Sequence, residues 1–196
     1  MQQLNQLEIG ILDWIRENLS CNFLDVVMRS ITILGDNGIF FILVAMVCLL
    51  FKKSRKFGST LTIALVLEVI MINLTLKPLV GRMRPFIFND AVELIVPALN
   101  SASFPSGHTG FAFAFALSLL VFGKKGLIPG LIFGVLMGFS RLYLYVHYPT
   151  DVLFGALIGA LCGFIAYLIT KKIYSYLDED VEYFSDDLTD EDGETN

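Results

Sequence analysis

The feature that most constrains this chain is a succession of apolar runs, broken only by short clusters of lysine, glycine and proline, that fills most of residues 22–172. Runs of this kind, several near the roughly 20 residues that carry a helix across a hydrocarbon layer, require a bilayer or an unusually large core. The 196 residues are 55% hydrophobic, with a mean hydropathy of +0.68, more than one soluble core of that size needs. An all-α, polytopic membrane bundle is therefore expected.

The punctuation divides the chain into an interfacial helix (1–20), a six-span membrane domain (21–177) and an acidic tail (178–196). In the first, Leu4, Leu7, Ile11, Trp14 and Ile15 recur at helical spacing and predict an amphipathic helix. Asn22–Gly35 and Gly38–Phe51, parted by Asp36-Asn37, are expected to form a tight transmembrane hairpin, with Asp25 and Arg29 paired one turn apart. Further spans are expected over Gly58–Lys77, with Glu68 buried in its middle, and over Gly107–Phe122, Leu127–Arg141 and Asp151–Thr170. Tyr143, Tyr145 and Tyr148 suit an aromatic belt, and Gly155, Gly159 and Gly163 form a small-residue face for close packing. Cys21, Cys48 and Cys162 lack metal-ligand spacing and are expected to pack as small apolar residues.

The net charge of −5 hides an asymmetry. Ten of the nineteen acids lie between Asp178 and Glu194, where there is no lysine or arginine, so that segment is expected to be disordered. The remainder carries fourteen basic against nine acidic groups. The first eight residues lack the basic and apolar regions of a cleavable signal, so the spans themselves are expected to direct insertion. Six spans would gather Lys52–Lys56, Lys124-Lys125 and Lys171-Lys172 on one side, and the positive-inside rule makes that side cytoplasmic, with both termini. Lys77, Arg84, His108, Arg141 and His147 then collect on the outer side, where the rule disfavours cations. A shared anion site explains them better than anchoring does.

Those residues fall into a pattern: Lys77, six residues, Arg84-Pro85; then Pro105-Ser106-Gly107-His108; then Ser140-Arg141, five residues, His147, three residues, Asp151. In all three segments the chain resembles the type 2 phosphatidic acid phosphatase family, with no signature position altered. The resemblance implies a metal-independent phosphatase of lipid phosphates that needs no cofactor and works in a bacterial plasma membrane.

The chemistry agrees. A phosphoryl group in transfer spreads negative charge over its oxygens, which Lys77, Arg84, Arg141, Ser106 and the Gly107 amide are placed to receive. Asp151, one turn from His147, can orient that imidazole as a nucleophile, and His108 can act as acid and then base; the resemblance implies the same roles. Arg82 lies outside the pattern and is either a surface cation or a second clamp for a diphosphate. Undecaprenyl diphosphate is the first substrate expected, with phosphatidylglycerol phosphate or phosphatidic acid as alternatives. Vanadium-dependent haloperoxidases share these motifs, but they are soluble. A non-catalytic lipid-binding protein would not require two histidines and an orienting acid.

Overall fold

A computed structural model describes residues 2–89 and 92–191, with side chains described for 5–89 and 92–177. The helices are α1 (Gln2–Leu19), α2 (Asn22–Ile33), α3 (Ile39–Leu50), α4 (Arg55–Glu68), α5 (Lys77–Val80), α6 (Gly107–Ser118), α7 (Lys124–Tyr143) and α8 (Pro149–Glu191). A π-helical stretch, Val69–Leu76, joins α4 to α5, and a 3-10 turn, Leu119–Phe122, extends α6. Among the described residues there is no strand.

Helix α6 is the central rod, packed most extensively on α8 and then on α7 and α4. Its small residues make this possible, because Gly110, Ala112, Ala114 and Ala116 are all buried. The expected small-residue face of α8 lies directly against it. A Cβ on Gly155, Gly159 or Gly163 would sit 2.4, 2.2 or 2.6 Å from the carbonyl oxygens of Ser106, Gly110 and Ala114. Backbones this close gain dense van der Waals contact and admit no side chain between them. Phe41, Phe57, Leu61, Leu65, Phe111 and Met137 fill the core alongside. The outward faces of α3, α7 and α8 expose Leu43, Met46, Ile132, Val135, Leu157, Leu161 and Leu168, an apolar surface suited to lipid.

The expected hairpin is not formed. The axes of α2 and the Asp36–Leu50 segment differ by only 41°, so the chain continues across the break as one bent rod. Asn37 and Gly38 take left-handed φ values of 51° and 69°, which kink the helix for a single turn without reversing it. By length and composition three described helices can cross a membrane, and a fourth if the bent pair is one span; Gly107–Phe122 is a shorter apolar helix between the same two ends. The described chain thus runs between these ends five times rather than six.

That difference moves the N-terminal helix. Lys56 and Ser59 meet Tyr174, and Phe57 meets Phe122, so the lysine clusters do share one end. Helix α1 lies at the other end, with Glu8 bonded to Arg82 and Thr150 and Asp13 to Tyr145. The expectation that both termini lie at the lysine end is therefore corrected for the N-terminal helix. Of its expected apolar stripe Ile15 is buried, beside Leu12 and Glu8, whereas Leu7, Ile11 and Trp14 are exposed and the Leu4 side chain lies outside those described.

The tyrosines do not form a belt. All three are buried, and Tyr143 and Tyr145 donate to Asp25 and Asp13 at 2.6 Å, tying the α7–α8 connection to α2 and α1. With Asp25 so engaged, its expected pairing with Arg29 is absent among the described ion pairs. Helix α8 continues through the acidic segment expected to be disordered, to Glu191, with no glycine between Gly163 and Glu191 and no internal proline to stop it. Residues 192–196 of that tail lie outside the described residues. Cys21, Cys48 and Cys162 are unbridged.

Cysteines introduced at Gln6 and Asn100 are expected to react with an impermeant maleimide from the same side of the membrane, and one at Ser54 only from the opposite side. Labelling of the Gln6 and Ser54 positions from one side would restore the six-crossing arrangement.

Candidate active site

The five segments that meet at the site end supply its side chains. The short connection Leu144–Tyr148 turns α7 into α8 and presents His147, while the first turn of α8 presents Asp151. The Asp151 carboxylate is fully buried and shared. Its Oδ2 accepts from Ser103 Oγ at 2.5 Å and from the Tyr148 amide at 3.0 Å, and lies 3.5 Å from His147 Nδ1. Ser103 Oγ is also 3.4 Å from that nitrogen. On the far side of the ring, Arg84 Nη1 is 3.2 Å from His147 Nε2, and the same nitrogen donates to the Val146 carbonyl at 2.8 Å. This arrangement favours the tautomer with a proton on Nδ1 and a lone pair on Nε2.

A cavity of about 230 Å³ is lined by His147, Arg84, Lys77, Asn73, Gly107 and His108 among others. Lys77 enters from the end of the π-helical stretch, whose wider turn brings Asn73 beneath it. Lys77 Nζ donates to Asn73 Oδ1 at 2.9 Å, and Asn73 Nδ2 lies 3.4 Å from the fully buried Glu68. The buried acid expected at mid-span is thus the base of a polar column under the cavity. At Gly107 a Cβ would lie 3.3 Å from Lys77 Nζ, a tight approach that the lysine tip would have to shift to admit. His108 faces His147 across the cavity and hydrogen-bonds through Nε2 to Asp36 Oδ1 at 2.9 Å.

Of the residues picked out in the sequence, Lys77, Arg84, Gly107, His108 and His147 line one cavity, and Asp151 stands behind His147. Ser106 does not line it. Its amide donates to the Asp151 carbonyl and its hydroxyl caps α6 by accepting from Thr109, so its part is to fix the helix start. Arg141 borders the neighbouring chamber, with Nη1 bonded to Thr32 Oγ1. Arg82 is neither a surface cation nor a second clamp in this cavity. It donates to Asp151 Oδ1 at 2.7 Å, to Thr150 and Asn5 at 2.7 Å and to Glu8 at 2.5 Å, and it stacks on Tyr148. Both terminal nitrogens are occupied by the protein. Ser103, Asp36, Asn73 and Glu8 were not foreseen; of these only Asn73, one helical turn before Lys77, carries a local signal.

Residues 55–175, well over half of the chain, match the PAP2 superfamily model, and the chain belongs to that superfamily. It is 36% identical over 119 residues to an undecaprenyl-diphosphatase of Sulfolobus acidocaldarius, covering 60% of this chain and 57% of that protein. The chain spans about half the length of the first curated relatives it matches. It is 34% identical over 164 residues to phosphatidylglycerophosphatase B of Bacillus subtilis, covering 77% of each. Among solved structures, Aquifex aeolicus LpxE aligns with a TM-score of 0.70 and 31% identity, over 82% of this chain and 94% of the other.

Burial, then the nearby Arg84 and Arg141 guanidiniums, hold the His147 pKa well below its usual 6.5. The unfolded chain takes up a proton there that the native ring refuses. The stability owed to the neutral ring is therefore complete above the unfolded pKa and is lost as pH falls towards the depressed native value. Between about pH 7 and about pH 5.5, wild-type stability is expected to fall faster than that of His147→Gln, by up to roughly 1.4 kcal/mol per pH unit. Parallel unfolding curves would refute a ring held neutral.

Proposed function

We propose that this protein is a membrane lipid phosphatase that forms a phosphohistidine on His147. The observation that carries the reading is the cavity itself. His147, whose Nε2 carries the lone pair, the two cations Lys77 and Arg84 and a second histidine surround one volume of phosphate size, and that volume adjoins an apolar groove. The groove, about 420 Å³, runs between α3 and α4 along Ile42, Met46, Leu65, Val66 and Ile70, and shares Asn37, Val69 and Phe111 with the cavity. A phosphate in the cavity can therefore carry a hydrocarbon chain in the groove.

In this reading His147 Nε2 attacks phosphorus, and the bond to the leaving oxygen breaks as His108 gives that oxygen a proton. Water then attacks the phosphohistidine, His108 takes its proton, and the nitrogen–phosphorus bond breaks to release inorganic phosphate. Arg84 and Lys77 are fixed by hydrogen bonds before the charge develops, which is what makes such donors effective. Asp151 and Ser103 keep Nδ1 protonated and the ring aimed.

The substrate favoured is undecaprenyl diphosphate, in keeping with the Sulfolobus relative. Phosphatidylglycerol phosphate, in keeping with the Bacillus relative, and phosphatidic acid are the alternatives. The lysine clusters lie at the end opposite the cavity, which by the positive-inside rule supports a site on the outer face of a bacterial plasma membrane. In this reading hydrolysis needs no metal, because Lys77 and Arg84 supply the positive charge at the cavity.

Purified protein in detergent with EDTA is expected to release phosphate from a panel of lipid phosphates, fastest from the prenyl diphosphate. A requirement for added magnesium, or no release from any lipid, would sink the reading. His147→Ala is expected to abolish the acid-labile phosphoenzyme trapped by rapid quench. His108→Ala should slow its formation mainly for poor leaving groups, and Asp151→Asn should lower kcat by roughly 10³-fold or more. Label trapped equally on His147→Ala would move the nucleophile elsewhere.

A further inference from the structure

The carboxylate behind the proposed nucleophile is not free. Arg82 Nη1 donates to Asp151 Oδ1 at 2.7 Å, and a buried ion pair this close would leave Asp151 little charge to offer His147. Glu8 changes that balance. Its Oε2 accepts from Arg82 Nη2 at 2.5 Å, so the guanidinium is shared between two carboxylates and the row keeps a net negative charge. We propose that Glu8, on the N-terminal helix, is a positioning residue for the phosphatase reaction, which leaves Asp151 its negative charge by engaging that of Arg82. The proposal rests on the roles assigned above to His147 and Asp151.

Three observations carry it. Glu8 is built into its place, only 3% exposed and with both oxygens used. Oε1 accepts from the Thr150 amide at 2.7 Å and from the Thr150 hydroxyl at 2.6 Å, while Oε2 takes Arg82. That amide belongs to the first turn of α8, where no carbonyl of the helix reaches it. An acid from α1 thus caps the helix that carries Asp151, where the helix dipole favours a negative charge. The second observation is the direction of the row. Arg82 turns Nη1 to Asp151 and Nη2 to Glu8, and Tyr148 covers its guanidinium at 3.8 Å. Finally, among the described residues neither Glu8, Thr150, Arg82 nor Asp151 lines the catalytic cavity, so the row meets a substrate only through His147. Glu8 also lies outside residues 55–175, the part that matches the superfamily model.

The charge is needed at one step. His147 Nε2 gives its lone pair to phosphorus as the bond from phosphorus to the leaving oxygen breaks, and that oxygen departs with the electron pair and a proton from His108. Nδ1 keeps its own proton, so the imidazole of the phosphohistidine is a cation. Arg84 Nη1, 3.2 Å from Nε2, disfavours a second positive charge there. Asp151 Oδ2, 3.5 Å from Nδ1, favours it, and in a buried site the strength of that attraction depends on the charge of the whole row. With Glu8 present the row offers the ring a negative charge. Without it, Arg82 and Asp151 cancel. Water then cleaves the nitrogen–phosphorus bond, its proton goes to His108, and the ring returns to neutral.

The test uses purified full-length variants in detergent, with a long-chain prenyl diphosphate and phosphatidic acid as substrates and rapid quench to follow the phosphoenzyme. Glu8→Gln keeps the size of the side chain and removes its charge. It is expected to lower kcat and the rate of phosphoenzyme formation roughly tenfold or more, with KM within about twofold of wild type. Glu8→Asp, which keeps the charge, should retain part of the rate. Glu8→Gln combined with Arg82→Met removes both charges and returns Asp151 its own, so it is expected to be about threefold or more faster than Glu8→Gln alone. A row that only tied the helices together would give the opposite order, because the double variant lacks more bonds. A double variant no faster than Glu8→Gln, an unchanged kcat per folded molecule in Glu8→Gln, or a loss confined to KM would overturn the proposal. Should the double variant not accumulate as folded protein, Glu8→Asp decides, and a rate no higher than that of Glu8→Gln overturns it. His147→Ala, run alongside, separates the two levels. If it hydrolyses these lipids like wild type, the proposed function falls and the role of Glu8 with it; if it is inactive, the comparison bears on Glu8 alone.

Discussion

The close backbone contact between α6 and α8 is the constraint on which the rest of the site depends. His108 belongs to the first turn of α6 and Asp151 to the first turn of α8, with His147 four residues earlier. The geometry between the two histidines is therefore the geometry between two helix starts. The Ser106 amide donates to the Asp151 carbonyl at 3.0 Å, and Gly155 lets the Ser106 carbonyl approach to where a Cβ would be. Side chains at Gly155 or Gly159 would push the helices apart by more than the tolerance of roughly half an ångström that a catalytic constellation allows. The membrane helps, since helices in lipid gain from such contact without needing to hide apolar surface from water.

A second constraint is the density of positive charge. Lys77, Arg84 and Arg141 are brought to one end of the bundle, but none forms a salt bridge among the described residues. Lys77 is held by an amide oxygen, Arg84 by carbonyls and a serine, and Arg141 by a threonine. Neutral acceptors fix a cation in place without cancelling its charge. The carboxylates nearby are used otherwise: Asp151 on His147, Ser103 and Arg82, and Asp36 on His108. In the proposed function such an arrangement would meet an arriving anion with donors that need no reorganisation.

How much of this could be read from the sequence follows from the range of each contact. The three signature segments are local patterns, and residues of all three line one cavity because each sits at a helix end that the hydropathy pattern also marks. The serine cap of α6 and the glycine face of α8 were legible for the same reason. The hairpin was misread because Asp36-Asn37-Gly38 has the composition of a reversal, whereas its φ values make a one-turn kink. Tyr143, Tyr145 and Tyr148 were misread because a tyrosine cluster at a helix end looks the same whether its hydroxyls meet headgroups or carboxylates. Arg82 and Arg29 exchanged their expected places: the first is enclosed by α1, and the second is freed because Tyr143 takes Asp25. The Thr150–Glu8 contact spans 142 residues and the His108–Asp36 contact 72, and no periodicity reports pairs so far apart.

The enclosure of Arg82 gives the N-terminal helix a part in the site. Glu8, Arg82 and Asp151 form a row of alternating charge, negative, positive, negative, that ends at His147, with Thr150 bridging Glu8 and Arg82. Glu8 and Asp151 are buried and Arg82 is nearly so. In such a row each charge is tolerated because its neighbour is present, and loss of one leaves another uncompensated, at a typical cost of about 3 kcal/mol or more. The row therefore fixes Asp151 from the side that Ser103 and the Tyr148 amide do not reach. It also makes the position of that carboxylate depend on α1, whose other face exposes Leu7, Ile11 and Trp14 where a bilayer surface would lie. The same helix thus offers a polar face to Arg82 and Thr150 at the site end of the bundle and an apolar face to its surroundings.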